Sequence, residues 1–175
     1  MSRLLLILFA FFLSAPVLAD EFDDNYKLGP GDLILIEVYG EEELTFETLL
    51  GESGSIDYPF LGRIPVKGRT TEQLRASIDS GLRGDYLIDP NVHVRILEYR
   101  QFFVNGEVKQ PGGYPYQPGL TVNKAIALAG GFSERASKSG IYLSSSDHPG
   151  RKPIKVGLND RVKPGDILVI DQSFF

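Results

Sequence analysis

From Leu33 to Tyr39 every position but Glu37 is apolar or aromatic. A run of that length and β-branched content predicts a strand buried on both faces rather than a helix. Leu28-Gly29-Pro30-Gly31-Asp32 ahead of it reads as a turn. After an acidic loop at Gly40–Glu43, Ile56, Tyr58 and Phe60 alternate with other residues, and Ile64 and Val66 alternate after Leu61-Gly62. Two short strands joined at a glycine turn follow from that period of two. The period then changes to four: Leu74, Ile78 and Leu82 form one apolar stripe, and Thr70 with Gln73 makes a capping box. These predict a helix over 71–82 that stops near Gly84. Asp89-Pro90 opens a further strand, with Val92, Val94 and Ile96 on one face and His93, Arg95 and Leu97 on the other.

The second half is punctuated more densely, above all between Val104 and Phe132. Phe102, Phe103, Val104 and Val108 are strand formers, and Pro111-Gly112-Gly113 reads as a turn with proline fixing one dihedral and glycine taking the left-handed one. Asn105-Gly106 admits two readings, a two-residue hairpin turn or a glycine inside a strand where another backbone comes close. Thr121 stands where an N-cap hydroxyl belongs, Val122, Ala125, Ile126 and Ala129 follow at helical spacing, and Gly130-Gly131 ends the run as a left-handed cap. Ser133–Ser139 is small and polar, Ile141-Tyr142-Leu143 is a short strand, and 144–150 is a loop. Lys163-Pro164-Gly165-Asp166 followed by Ile167–Ile170 then repeats the device at 29–36, a Pro-Gly-Asp turn launching an apolar strand. In both copies the aspartate, Asp32 or Asp166, is expected to brace its turn through side-chain to backbone hydrogen bonds. Tyr99–Gln101 is the one joint between the two halves and is too short for free domain motion. The expected fold is α+β, two small β-rich units with one main helix each.

Met1–Ala19 carries one cation, Arg3, an apolar run over 4–13 and a Val-Leu-Ala end, the organisation of a cleaved secretory signal peptide. Its apolar core is about half the roughly 20 residues a membrane span needs. Cleavage after Ala19 leaves 156 residues with 17 basic against 23 acidic side chains, beginning with an acidic tail over 20–25. That surface repels phosphate backbones and excludes nucleic acid as a partner. The chain has no cysteine, so an exported protein of this sequence relies on burial rather than disulfides, and no acylated cysteine follows the signal.

At two places the chain resembles known domains. The order of a Pro-Gly-Asp turn and strand, then G-x-I-x-Y-P-x-L-G-x-I-x-V-x-G-x-T, a helix and a D-P-x-V-x-V strand resembles the polysaccharide export domain of outer-membrane export proteins. It is carried over 26–99 by Gly29, Pro30, Gly31, Asp32, Gly54, Ile56, Pro59, Leu61, Gly62, Val66, Gly68, Thr70, Asp89, Pro90, Val92 and Val94. Over 100–175, V-x-G-x-V-x-x-P-G-x-Y, a helix opened by threonine and A-G-G resemble the SLBB domain, a β-grasp-like module. Its carriers are Val104, Gly106, Val108, Pro111, Gly112, Tyr114, Thr121, Ala125, Ala129, Gly130 and Gly131, with Pro164, Gly165 and Asp166 in the second turn. The motif residues are mainly structural, and no individual glycan contact is assigned. The resemblance implies a periplasmic, non-catalytic component of a capsule or exopolysaccharide export machine, exported by its signal peptide and associated with the outer membrane through partners. It further implies a ring of identical subunits on the polysaccharide path, and an inner-membrane polysaccharide copolymerase as partner. Larger members of the family continue into an amphipathic helix that forms the outer-membrane pore. None follows within the 175 residues, so a separate pore protein is expected.

Reactive chemistry is sparse. Two histidines and no cysteine give no metal-ligand spacing, His93 sits in a strand, and no phosphate-binding glycine loop is present, so no cofactor or metal is expected. Glu41, Glu42 and Glu43 are adjacent and point apart, as a solvated loop does. Ser146-Asp147-His148 holds the residue types of a hydrolase triad, but a triad is assembled from residues distant in sequence. Phe102, Phe103, Tyr114, Tyr116 and Tyr142 suit sugar stacking and suit packing better. Glu107, Lys109 and Arg135 read as solvated surface charge. The alternative function is a secreted β-grasp module that binds a soluble ligand or glycan fragment.

Overall fold

The computed structural model describes residues 25–145 and 150–173. The expected signal peptide, most of the acidic tail and Ser146-Asp147-His148 therefore lie outside the described residues. In the first half, strand β1 (Leu33–Val38) is the centre of a three-stranded antiparallel sheet, flanked by β2 (Phe46–Leu49) and β5 (Val92–Glu98). A hairpin of β3 (Ser55–Tyr58) and β4 (Gly62–Pro65) stands beside it, and helix α1 (Thr71–Leu82) packs on β5. Leu74, Ile78 and Leu82, the stripe read from the sequence, are fully buried with Ile34, Ile36 and Val38 in one apolar cluster. The capping box is complete: the Gln73 N–H donates to Thr70 Oγ1 at 3.1 Å, and the Thr70 N–H donates to Gln73 Oε1 at 3.0 Å.

The second half is a five-stranded sheet in the order β7 (Gly112–Tyr114), β6 (Phe102–Gly106), β10 (Ile167–Gln172), β8 (Ala136–Ser144) and β9 (Ile154–Lys155). The β6–β10 pair is parallel and the others are antiparallel. Helix α2 (Val122–Leu128) buries Val122, Ala125 and Ile126 in a second apolar cluster with Phe102, Val104, Leu168 and Ile170.

Several expectations change. The strand at 33–38 is fully buried on one face only, with Leu33, Leu35 and Glu37 partly exposed on the other. Phe60 leaves the alternation: it sits in the β3–β4 turn with φ of +63° and is exposed. Gly112 and Gly113 do not adopt a left-handed turn. They form β7 with extended backbone, and a Cβ on Gly113 would come within 2.6 Å of Gln101 Oε1 and 3.0 Å of the Phe103 ring. At Gly106 the close-approach reading holds, because a Cβ there would lie 2.1 Å from the Ile170 carbonyl oxygen. Val108 falls outside β6 and bridges to Phe132 instead. Strand β8 starts at Ala136, through the small polar residues expected as loop, because the ladder with β10 continues past a bulge to the Ala136–Gln172 pair.

Buried phenols give the fold an alkaline limit. Tyr58 is buried and donates to the Leu44 carbonyl at 3.0 Å, and desolvation pushes its pKa up to about 12. Tyr26 shifts the same way, through burial first and the Asp32 charge second. Since phenols of the unfolded chain ionise near pH 10, this contribution is whole below pH 10 and is lost as pH rises toward 12. Chemical denaturation at successive pH values should show that fall, and Tyr58→Phe should make it shallower. An equal slope in the variant would contradict the assignment.

Candidate functional site

Asp32 has no exposed surface, yet its carboxylate carries the joint between the two halves. The Gly29 N–H donates to Oδ2 at 2.8 Å, bracing the Pro-Gly-Asp turn as the sequence leads one to expect. The remaining partners come from the joint and from the chain before the turn. The Arg100 backbone N–H donates to Oδ1 at 2.8 Å, its guanidinium reaches Oδ2 at 3.1 Å, and the Tyr26 hydroxyl donates at 2.8 Å. Arg100 also donates to the Tyr26 hydroxyl oxygen at 2.8 Å, with its guanidinium carbon 5.4 Å from the centre of the Tyr26 ring. Gly29 and Gly31 make room for this: a Cβ on Gly29 would lie 2.6 Å from Arg100 Nη1, and one on Gly31 would lie 3.0 Å from the Arg100 Cβ.

The second Pro-Gly-Asp turn grips the same joint. Asp166, 1% exposed, accepts from the Lys163 N–H at 2.9 Å, Gly165 N–H donates to the Gln101 carbonyl at 3.0 Å, and Phe103 N–H donates to the Asp166 carbonyl at 2.9 Å. The recurrence in the sequence thus marks two turns that hold the three-residue joint from both sides. Arg100 and Tyr26 carry no motif signal, and sequence reasoning missed them.

Clefts open on either side of this joint. One, of about 210 Å³, is lined by Tyr26, Tyr99, Tyr116, Arg100, Arg161 and Lys163 among others. Tyr26 meets Tyr99 edge-on at 5.0 Å, and Tyr99 meets Tyr116 edge-on at 5.3 Å, so three phenol rings form one wall. The other, about 1060 Å³ and more open, runs past Gly29, Pro30, Gly31, Gly68, Phe103 and Gly165.

Other motif residues sit elsewhere. Pro59, Leu61 and Gly62 shape the β3–β4 turn, where Leu61 N–H donates to the Pro59 carbonyl at 2.8 Å and Gly62 has φ of +66°. Gly68 N–H donates to the Leu28 carbonyl, and Asp89 pairs with Arg83 at 2.8 Å just before the buried Pro90. Thr121 caps α2 by accepting from Lys124 N–H, and Ala129, Gly130 and Gly131 close it, both glycines with positive φ. Tyr114 packs on Phe102 and its hydroxyl donates to the Gln110 carbonyl beside Pro111. Among the aromatics weighed for stacking, Phe102 is buried, and Tyr116 alone reaches the three-ring wall. His93 is exposed, and Glu107 pairs with Arg135 at 3.5 Å. Among the described residues no group of three His, Cys, Asp or Glu could hold a metal, and no helix is long and apolar enough to cross a membrane.

Comparison with known proteins agrees with the motif order. The model of the polysaccharide biosynthesis/export protein family matches residues 20–97, and that of the SLBB domain matches 101–156. The chain thus carries a polysaccharide biosynthesis/export domain followed by an SLBB domain. It is 34% identical over 122 residues to the exopolysaccharide production protein ExoF of Rhizobium meliloti, covering 62% of this chain and 28% of the relative. It is 31% identical over 171 residues to the EPS I polysaccharide export outer membrane protein EpsA of Ralstonia nicotianae, covering 82% and 45%. With the polysialic acid transport protein KpsD of Escherichia coli it shares 29% identity over 125 residues, covering 70% and 22%. The chain thus spans less than half the length of each of these relatives.

Proposed function

We propose that this protein is a periplasmic, non-catalytic component of a capsule or exopolysaccharide export machine, and that its motif residues, Asp32 and Asp166 foremost, are scaffold rather than chemistry. The observation that carries the reading is the order of an export domain and an SLBB domain across most of the chain, joined by a linker held in two buried turns. A braced joint suits a part that holds its shape in a larger assembly. The signal peptide over 1–19 supports the location. In this reading identical subunits form a closed ring through two different surface patches each. The ring lies on the polymer path between an inner-membrane copolymerase and a separate outer-membrane pore protein. The binding-module alternative draws on the cleft at the joint, which would then hold a free ligand instead of a passing polymer.

Deleting the gene and measuring surface and released polysaccharide tests the export role. Surface glycan should disappear and return when the gene is supplied with its signal peptide, but not without it. Unchanged surface glycan in the deletion strain would overturn the export reading in favour of the binding module.

A further inference from the structure

The cleft at the joint has a charge that the rest of the protein does not lead one to expect. The chain carries a net charge of −5, yet Lys27, Arg100, Arg161 and Lys163 line this cleft and no carboxylate does among its described lining residues. Arg100 is committed to the buried Asp32. Arg161 differs: it is exposed and makes no ion pair among the described residues. Its place is fixed by the backbone, where Thr121 and Arg161 bridge, Val122 N–H donates to the Asp160 carbonyl at 3.0 Å and Val162 N–H donates to the Leu120 carbonyl at 3.0 Å. The guanidinium therefore hangs on a pinned segment at the edge of a wall of tyrosine rings. Arg161 and Lys163 also line a neighbouring hollow of about 300 Å³ that adds Arg151 and Lys152, and its single acidic lining residue is the buried Asp166.

Such a wall suits the apolar C–H faces of a sugar ring, and a guanidinium offers a planar fork that fits a carboxylate. At about 210 Å³ the cleft is smaller than the roughly 300–1,000 Å³ of sites for drug-sized ligands, which favours one ring over a long segment. We propose that the cleft between the two units binds a carboxylate-bearing sugar unit, with Arg161 holding the carboxylate and Tyr99 and Tyr116 facing the ring. The cations of the adjoining hollow continue the positive strip, so a second acidic unit of the same polymer is accommodated next to the first. This deepens the export reading and rests on it for the ligand's origin.

The test is a titration of the full exported chain with trisaccharides of galacturonate, glucuronate and mannuronate, with neutral maltotriose and a short polyglutamate as comparisons. At least one uronic trisaccharide should bind saturably and ten times or more tighter than maltotriose. Arg161→Gln, an exposed change that leaves the melting curve in place, should weaken it at least tenfold, as should Tyr116→Leu, while Lys138→Gln on strand β8 should not. Binding of maltotriose within twofold of the uronic probes would overturn the proposal. So would undiminished binding by Arg161→Gln, failure of all three uronic probes, or polyglutamate binding as tightly and indifferent to Tyr116→Leu. The titration decides the ligand and the deletion assay decides export, so either can fail without the other.

Discussion

Asp32→Ala should cost about 3–5 kcal/mol, the usual loss when one partner of a buried ion pair is removed. The Arg100 side chain is 17% exposed and Asp32 is fully covered, so the guanidinium would keep its charge in a largely buried site after losing its Asp32 partner. The Gly29 and Arg100 backbone N–H groups and the Tyr26 hydroxyl would each lose an acceptor as well. A loss of that size is a large share of the roughly 5–15 kcal/mol that holds a domain folded. Denaturant titration measures it, and the pair Asp32→Ala and Arg100→Met should couple strongly, because removing the charge removes most of the reason for the loss. A cost under about 1 kcal/mol, as for an exposed pair, would mean that the joint is solvated and not braced.

Gly106→Ala should be nearly as damaging, at roughly 3 kcal/mol or more. A left-handed alanine alone costs about 1–2 kcal/mol, and overpacking a rigid interior adds about 1–3 kcal/mol. Here φ is +85°, and the new methyl would stand 2.1 Å from a backbone oxygen of β10 that cannot swing aside as a side chain would. That oxygen also accepts from Glu107 N–H at 2.9 Å, so moving it breaks the parallel β6–β10 junction at its end. The same change at Gly119, where φ is +76° but no atom lies within 4 Å of the added methyl, should cost only the backbone share. Equal losses at the two positions, read from denaturation midpoints, would show that the contact at Ile170 contributes nothing.

What could be read in the sequence was whatever is decided locally. The helix over 71–82 has its boundaries in a capping box and a stripe of three leucine and isoleucine side chains, and the structure places it at those residues. The two Pro-Gly-Asp turns were equally legible, since proline, glycine and aspartate each constrain a turn in their own way. Strand β2, reading Phe46-Glu47-Thr48-Leu49, was not, because it is an edge strand fixed by its ladder with β1 and only half-buried. Strand β9 is two exposed residues and carries no pattern of its own. Gly112 and Gly113 misled, because glycine beside proline suggests a turn, whereas here small residues let β7 lie over Phe103 and Gln101. The joint shows the same limit. Arg100 contacts a carboxylate 68 positions earlier in the chain, and nothing in the residues around it announces that partner.

The central claim, that this chain lies on the path of an exported polysaccharide, is tested most directly by crosslinking in living cells. A photoreactive benzophenone phenylalanine replaces Tyr116 in the cleft, and the protein is recovered after irradiation of cells that are exporting polymer. The account predicts a slow-migrating adduct that stains for carbohydrate and collapses on treatment with an enzyme that cleaves the polymer, and no such adduct when the probe replaces exposed His93 on strand β5. Crosslinks from the cleft that contain no carbohydrate in cells actively exporting would contradict it.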